Sequence, residues 1–356
     1  MKMDANFGLA ESENWALRSE HWRQFAKAGI QGRRRRQRNP NPLILCGHGV
    51  SLRIENGSLL IRDGFTHYPQ HQENLRFFPG DLETPTRILL LDGSGTLSFA
   101  VLSWLSEQGV ALARVKWTGE VATVASGTGY ASDREKVQWQ RDCHRNENLR
   151  AAFTIDLIER KLAASVSTLT THLPETKRRD RAIEKIVAAR QRLAGYDRSS
   201  IDQIRGLEGE CAFFYFDAWL DFPLNWAGIA KRPIPEDWRE YLSRSTLANG
   251  TKPINRGASH PINAMLNYGY AVRLAQVTIQ AIADGYDPTI GVMHHSRRDK
   301  PAFALDLIEP ERPKVDAAIL TLVANNPLNP IDFVIRKDGV CRLSPQLARA
   351  VAIATR

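Results

Sequence analysis

Cysteine is scarce in this chain of 356 residues, and its four copies, Cys46, Cys143, Cys211 and Cys341, stand far apart with no C-x-x-C pair. That pattern gives no zinc knuckle and no disulfide framework, and it suits a reducing cytoplasm. Long apolar runs are missing as well: none approaches the roughly 20 residues that span a bilayer. The opening M-K-M-D-A-N-F-G-L-A is too polar for a signal peptide. Acids are in deficit, with 39 Asp and Glu against 48 Lys and Arg, for a formal net charge of +9. The sequence pI is about 9.5. Such an excess favours a polyanionic partner without deciding it, because ordinary metabolic enzymes can also be basic. No phosphate-binding fingerprint accompanies the charge. G-S-G at 93–95 lacks the G-x-G-x-x-G spacing and a P-loop lysine, and reads as a strand-to-helix turn.

What is present is a folded protein: 43 % of residues are hydrophobic and 24 % charged, over a length that suits two domains. Residues 1–42 read as a basic N-terminal extension. Within it, Glu13 to Ala28 can form a short helix displaying Trp15, Leu17, Trp22 and Phe25, followed by an arginine cluster at 33–38. That cluster is either a solvated tail or a phosphate contact. Residues 43–133 are rich in short strands, and the E-N-G-S step between Ile54 and Leu59 signals a hairpin with a type I′ turn. Leu97 to Gly109 reads as a short helix with Ser98 as N-cap and Gly109 as its stop. From 134 to 356 the pattern is helical. Leu149, Phe153, Leu157, Ile158, Leu162 and Val166 recur near helical spacing with Lys161 beside them. A basic amphipathic helix ends at Gly195, and a third helix begins near Ser199. Residues 171–182 read as irregular and basic. The fold class expected is α+β: a small β-rich N-terminal domain followed by a larger all-α catalytic domain.

Three segments of the helical part carry unusual polar residues. Glu208 lies between glycines in G-L-E-G-E-C-A-F-F-Y-F, and Asn263, Asn267, Tyr268 and Tyr270 interrupt an apolar helix. His294 follows a Gly-x-x step, ahead of Asp306 and Glu309 in an apolar run. Carboxylates three apart on a helix share a face, and an apolar face does not hold two negative charges without something positive against them. Two carboxylates and an imidazole suit Mn²⁺ or Mg²⁺. A second account stands beside this one. Glu208 as a carboxylate near a helix N-terminus, Asp306 and Glu309 in ordinary i,i+3 or i,i+4 ion pairs, Arg312 being close enough to pair with Glu309, and Phe213 to Phe216 as core explain the same residues without a metal.

The segments taken together decide for the first account. G-L-E-G-E-C-A-F-F-Y-F at 206–216, P-I-N-A-M-L-N-Y-G-Y at 261–270, G-Y-D-P-T-I-G-V-M-H at 285–294 and A-L-D-L-I-E-P-E-R-P-K-V-D at 304–316 occur in this order. They resemble the CRISPR-associated integrase of spacer acquisition, the universal adaptation endonuclease of CRISPR systems. Two departures from that family's pattern are His260, where an aspartate is frequent, and residues 1–42, which have no counterpart.

The resemblance implies metal ligands at Glu208, His294 and Glu309, with Asp306 a further acidic residue needed at the same site. Glu210 and His295 are second choices. It implies a Mn²⁺ or Mg²⁺ cofactor. Arg297, Arg298, Lys300 and Arg312 are expected to hold double-stranded DNA through charge-assisted contacts, and Arg256, Asn263 and Tyr268 are further candidate DNA contacts. The implied reaction joins the 3′-OH ends of short DNA fragments to a CRISPR repeat, with nicking or disintegration of branched DNA as related activity. A homodimer through the β-rich domain and a small ferredoxin-like adaptation partner complete the expectation. A structure-specific repair nuclease and a non-catalytic DNA-binding scaffold are the rival readings.

Overall fold

The computed structural model describes residues 15–32, 36–67, 70, 72–116, 121–125, 133–195, 201–244, 258–294 and 300–356. Its first part is a mixed six-stranded sheet built from β1 (Leu43–Glu55), β2 (Ser58–Arg62), β3 (Asn74–Phe77), β4 (Arg87–Leu97), β5 (Ala111–Val115) and β6 (Val121–Ala125), in the order β3-β2-β1-β4-β5-β6. The β1–β2 hairpin forms as expected. Ile54 pairs with Leu59 and Glu55 with Ser58, and Asn56 and Gly57 both take positive φ, as a type I′ turn requires.

The expected turn at 93–95 does not occur. β4 continues through those residues to Leu97, parallel to β1. A Cβ on Gly95 would stand 1.8 Å from the Val50 carbonyl oxygen, so the glycine serves close strand approach instead. The chain turns at Ser98 into α2 (Phe99–Glu107); Ser98 holds the N-cap position, but its side chain makes no capping bond.

The central strands are buried on both faces, which accounts for apolar runs such as L-I-L-C and R-I-L-L-L. On one face Leu45, Val50, Leu59, Ile61 and Ile88 pack against Val101, Trp104 and Leu105 of α2. On the other, Ile44, Cys46, Leu89, Leu91, Ala113 and Val115 join the core of the helical part.

That part contains α3 (Arg134–Arg145), α4 (Glu147–His172), α5 (Lys177–Ala194), α6 (Ile201–Asp217), α7 (Pro261–Ala283), α8 (Ala302–Leu307), α9 (Arg312–Asn325) and α10 (Pro345–Ala354). One short hairpin, β7 (Phe333–Ile335) with β8 (Cys341–Leu343), interrupts the helices. The fold is therefore α+β, a β-rich N-terminal part followed by a larger, predominantly helical one. Residues 171–182 are mostly helical rather than irregular: only 173–176 separate α4 from α5, and Thr176 caps α5 by accepting from the Arg179 backbone N–H at 3.2 Å. The departure at His260 also has a local role. Its ring nitrogen accepts from the Ile262 N–H at 3.2 Å at the start of α7, and burial lowers its pKa to about 4, so that the ring stays neutral and able to accept.

The helix expected within the basic N-terminal extension forms, and it is built into the core rather than detached from it. α1 (Trp15–Ala28) packs on α10, and Trp22 is fully buried. Arg18 Nε donates to both oxygens of buried Asp332 at 2.8 and 3.1 Å, and Trp22 Nε1 donates to the same carboxylate at 2.9 Å. Within the arginine cluster, Arg38 donates to the carbonyls of Thr84, Gln108 and Pro85 at 2.8–3.0 Å, a structural role. Arg33, Arg34 and Arg35 lie outside the described residues.

Candidate active site

α4 turns Leu157, Ile158, Leu162, Ser165 and Leu169 into the core, and Lys161 stands on that same stripe. α6 runs beside it with Glu208 in its second turn, too far from the start at Ile201 for the helix N-terminus to account for the carboxylate. The Lys161 ammonium donates to Glu208 Oε1 and, at 2.7 Å, to Glu309 Oε2. Arg312 Nε donates to Glu309 Oε1 at 2.9 Å. Burial alone would raise the Glu309 pKa, but Arg312 and Lys161 outweigh it and hold the carboxyl at about 2.

The expectation that Asp306 and Glu309 share one helical face is overturned. α8 stops at Leu307, and Glu309 opens a 3₁₀ turn spanning Glu309–Glu311, so the two carboxylates serve different neighbours. Asp306 is fully buried. It accepts from the backbone N–H groups of Val292, Met293 and His294 at 2.5, 3.1 and 2.9 Å, and it meets His294 Nδ1 at 2.7 Å. A carboxylate there requires Nδ1 to be the protonated nitrogen, which leaves Nε2 with its lone pair for a ligand. Asp306 thus orients the histidine and does not line the cavity.

The histidine loop is held from several sides. Gln140 donates to the Asp287 and Ile290 carbonyls, Arg150 to that of Val292 at 2.7 Å, and Arg205 to that of Met293. Gly291 has no room for a side chain: a Cβ would meet the His294 carbonyl oxygen at 2.6 Å and the Ala302 methyl at 2.7 Å. The G-x-x-H step is therefore a packing requirement of the turn that delivers His294.

Lys161, Glu208, His294, Glu309 and Arg312 all line one cavity of about 490 Å³. Asp316 closes its floor, accepting from Tyr215 at 3.0 Å and from Tyr270, and burial pushes its carboxyl up to about 6 despite those bonds. The Arg312 guanidinium lies 4.9 Å from the Tyr270 ring centroid and that of Arg244 lies 5.5 Å from it. The aromatic run at 213–216 is divided: Tyr215 is buried, whereas Phe213 is exposed.

The donor set fits a divalent cation. A single ammonium already touches both Glu208 and Glu309, so the pair is close enough to share one positive charge, and His294 lines the same cavity. Oxygen, oxygen and imidazole nitrogen are donors that Mn²⁺ or Mg²⁺ accept. Among the described residues no three such side chains are grouped closely enough to hold an ion as they stand, and Lys161 bonds the two carboxylates.

The residues expected to meet DNA separate into groups. Arg312 is in the cavity wall, and Lys300 sits half-buried just before α8. Asn263 and Tyr268 are corrected: both are buried and present no surface to a strand. The Asn263 amide donates to the Ser243 carbonyl at 2.7 Å and its oxygen accepts from the Tyr241 hydroxyl at 3.4 Å. Arg256, Arg297 and Arg298 lie outside the described residues, as does His295; Glu210 is exposed and away from the cavity. Sequence reasoning gave no site role to Lys161, Arg205, Arg244 or Asp316. A lysine in the middle of an apolar helical stripe was the one available signal.

The fold and this cavity define a class. The chain superposes over 88 % of its length on 81 % of a casposase bound to its integration product, with TM-score 0.70 at 23 % identity. A Cas1 protein from Thermotoga maritima follows at TM-score 0.63 and 16 % identity, with 85 % of each chain covered. The family described as CRISPR associated protein Cas1 matches residues 43–355, and the chain belongs to that family. Among relatives, it is 29 % identical over 302 residues to a CRISPR-associated endonuclease Cas1 of Thermus thermophilus, covering 84 % of this chain and 80 % of that protein. The corresponding protein of Archaeoglobus fulgidus is 26 % identical over 322 residues, covering 86 % and 85 %.

Proposed function

We propose that the protein is a metal-dependent DNA integrase and endonuclease of CRISPR adaptation, joining the 3′-OH ends of short DNA fragments to a CRISPR repeat. The observation that carries this reading is the gathering of Glu208, Glu309 and an Asp306-oriented His294 around one cavity with arginine in its wall. Relatives bearing the name endonuclease and a casposase captured with an integration product support the reaction class.

The joining is a transesterification. The 3′-hydroxyl oxygen of the incoming end bonds to phosphorus, the bond from phosphorus to the neighbouring nucleotide's 3′-oxygen breaks, and that oxygen leaves as a new 3′-OH. The number of phosphodiesters is unchanged, and the proton lost by the attacking hydroxyl is matched by the one the leaving oxygen gains. Glu208, His294 and Glu309 would hold Mn²⁺ or Mg²⁺, which would supply Lewis-acid polarisation of the phosphodiester when bound. The chain's own residues do the rest. Asp306 fixes the imidazole, the 292–294 loop clamp keeps it on the cavity, and Arg312 offers charge-assisted contact to a phosphate oxygen.

A duplex with labelled 3′-OH ends, supercoiled plasmid, Mn²⁺ and the purified protein provide the test. Metal-dependent transfer of label to plasmid is the expected result. Nicking without transfer would favour a repair nuclease. Failure to join, both alone and with the adaptation partner added, would overturn the reading.

Partners are part of the proposal. A solved assembly of Cas6-RT-Cas1 with Cas2 supports an adaptation partner of the Cas2 kind, and that partner is proposed to be small and ferredoxin-like. Residues 43–133 are proposed to make the homodimer contact. At the β4–α2 junction Phe99 is 88 % exposed, beside exposed Leu97 and Leu102, an apolar group of the kind that interfaces cover. Phe99→Glu is expected to convert dimer to monomer in sedimentation equilibrium without loss of helical signal; an unchanged dimer would remove this face from the interface. A cytoplasmic place of action is proposed, with which four free, buried cysteines accord. Among the described residues no helix is long and apolar enough to cross a membrane.

A further inference from the structure

Lys161 is a charged group of the cavity that the reaction scheme leaves unused, and it touches both carboxylates of the site. Its side chain is only 15 % exposed, and it stands on the stripe of α4 that also buries Leu157, Ile158 and Leu162. Lysine is almost never buried this way unless paired. Here it is paired twice, with Glu208 and Glu309, and Glu309 also meets Arg312. These two acids and two bases balance to zero without any added ion.

Resting on the metal-dependent reading above, we propose that Lys161 is a tethered counter-cation that holds the Glu208–Glu309 pair ready and yields its place to the divalent ion. A dication at the two carboxylates would sit against the ammonium, and like charges at such contact repel. One of the two bases must move. Arg312 is fixed by its Nε bond to Glu309 and by its contact with the Tyr270 ring. Lys161 has a flexible four-carbon stem and a compact charge. The open side of the cavity is where DNA phosphate would arrive, and phosphate gives the displaced ammonium a new partner. DNA therefore draws Lys161 off the carboxylates and strengthens metal binding, and the metal strengthens DNA binding by the same factor.

The test measures metal affinity, not turnover. Mn²⁺ is titrated calorimetrically into the full chain, with and without a duplex whose 3′ ends are dideoxy-terminated. Lys161→Met is expected to bind Mn²⁺ about tenfold more tightly than wild type in the absence of DNA, within the usual range of coupling between sites. The gain in affinity on adding duplex should be smaller in that variant than in wild type. Lys161→Arg, which keeps the charge, should stay near the wild-type value. Equal or weaker Mn²⁺ binding by Lys161→Met, with wild-type binding intact and lost in Glu208→Ala, would overturn the role of Lys161 and leave the metal site standing. No Mn²⁺ binding by wild type or Lys161→Met would overturn both. If Lys161→Met fails to fold, a crystal structure of wild type with Mn²⁺ decides: an ammonium away from both carboxylates supports displacement, and one still bonded to both refutes it.

Discussion

Alanine at Glu208 or at His294 should lower 3′-end joining by roughly 10²–10³-fold or more, the scale seen when one stabilising group is removed from a transition state, while DNA affinity measured without divalent metal stays close to wild type. The expectation follows from their place in the cavity wall, where both are half-buried and neither is needed to fill the core. Asp306→Asn tests a different link. Asp306 accepts from three backbone N–H groups and the His294 ring, so its loss acts through the orientation of that ring. Groups that orient a metal-binding histidine typically contribute about 10–100-fold. A graded series, with Asp306→Asn between wild type and His294→Ala, is therefore predicted. Joining assays and filter binding on the same preparations would measure both quantities. Substantial joining by either alanine variant would discard the proposed centre, and an Asp306→Asn defect equal to that of His294→Ala would discard the orienting role.

The second large effect is on stability. Trp22→Ala should destabilise the fold by about 3–5 kcal/mol, the range for removing a large aromatic side chain from a core. Trp22 is fully buried between α1 and the helical part, and its ring N–H reaches Asp332. Arg18→Ala should have an effect of similar size, since it leaves Asp332 buried without its bidentate partner, for which about 3–5 kcal/mol is usual. The two changes share Asp332, so the double variant should fall short of their sum. Urea unfolding gives all three values. A solvated extension would instead show changes within about 0.5 kcal/mol, and that result would detach α1 from the fold.

Much of the architecture was readable because its signals are local. The hairpin at Asn56–Gly57 depends on two adjacent residues that tolerate positive φ, and the helices at 149–170 and 178–193 on a period that is visible in one dimension. The motifs around Glu208, His294 and Glu309 were readable by family resemblance. What escaped depended on contacts far apart in sequence. Gly95 was misread as part of a turn because its reason is the Val50 carbonyl, more than forty positions away. Asp306 and Glu309 were placed on one face because a helix ending at Leu307 has no Gly or Pro to announce it at that residue. Asn263 and Tyr268 were offered to DNA because polar residues on an apolar helix look functional; Asn263 is occupied by Ser243 and Tyr241, a pairing no spacing rule exposes. Arg18 and Trp22 looked superficial because their partner, Asp332, lies over three hundred residues downstream.

That last separation shapes how the protein comes into being on the ribosome. α10 fills the space between α1, β1 and β4, with Leu347, Ala350, Val351 and Ala352 fully buried, and Arg349 reaches back to Asp63. α1 and the sheet precede α10 by a long stretch of chain, and the parts of their faces that α10 covers are closed only when residues 345–354 emerge. Closing contacts of such sequence separation is slow, and exposed apolar faces in the interval favour aggregation. The nascent chain thus carries an unfinished surface between these two points of its synthesis, and α10 is the piece that seals it.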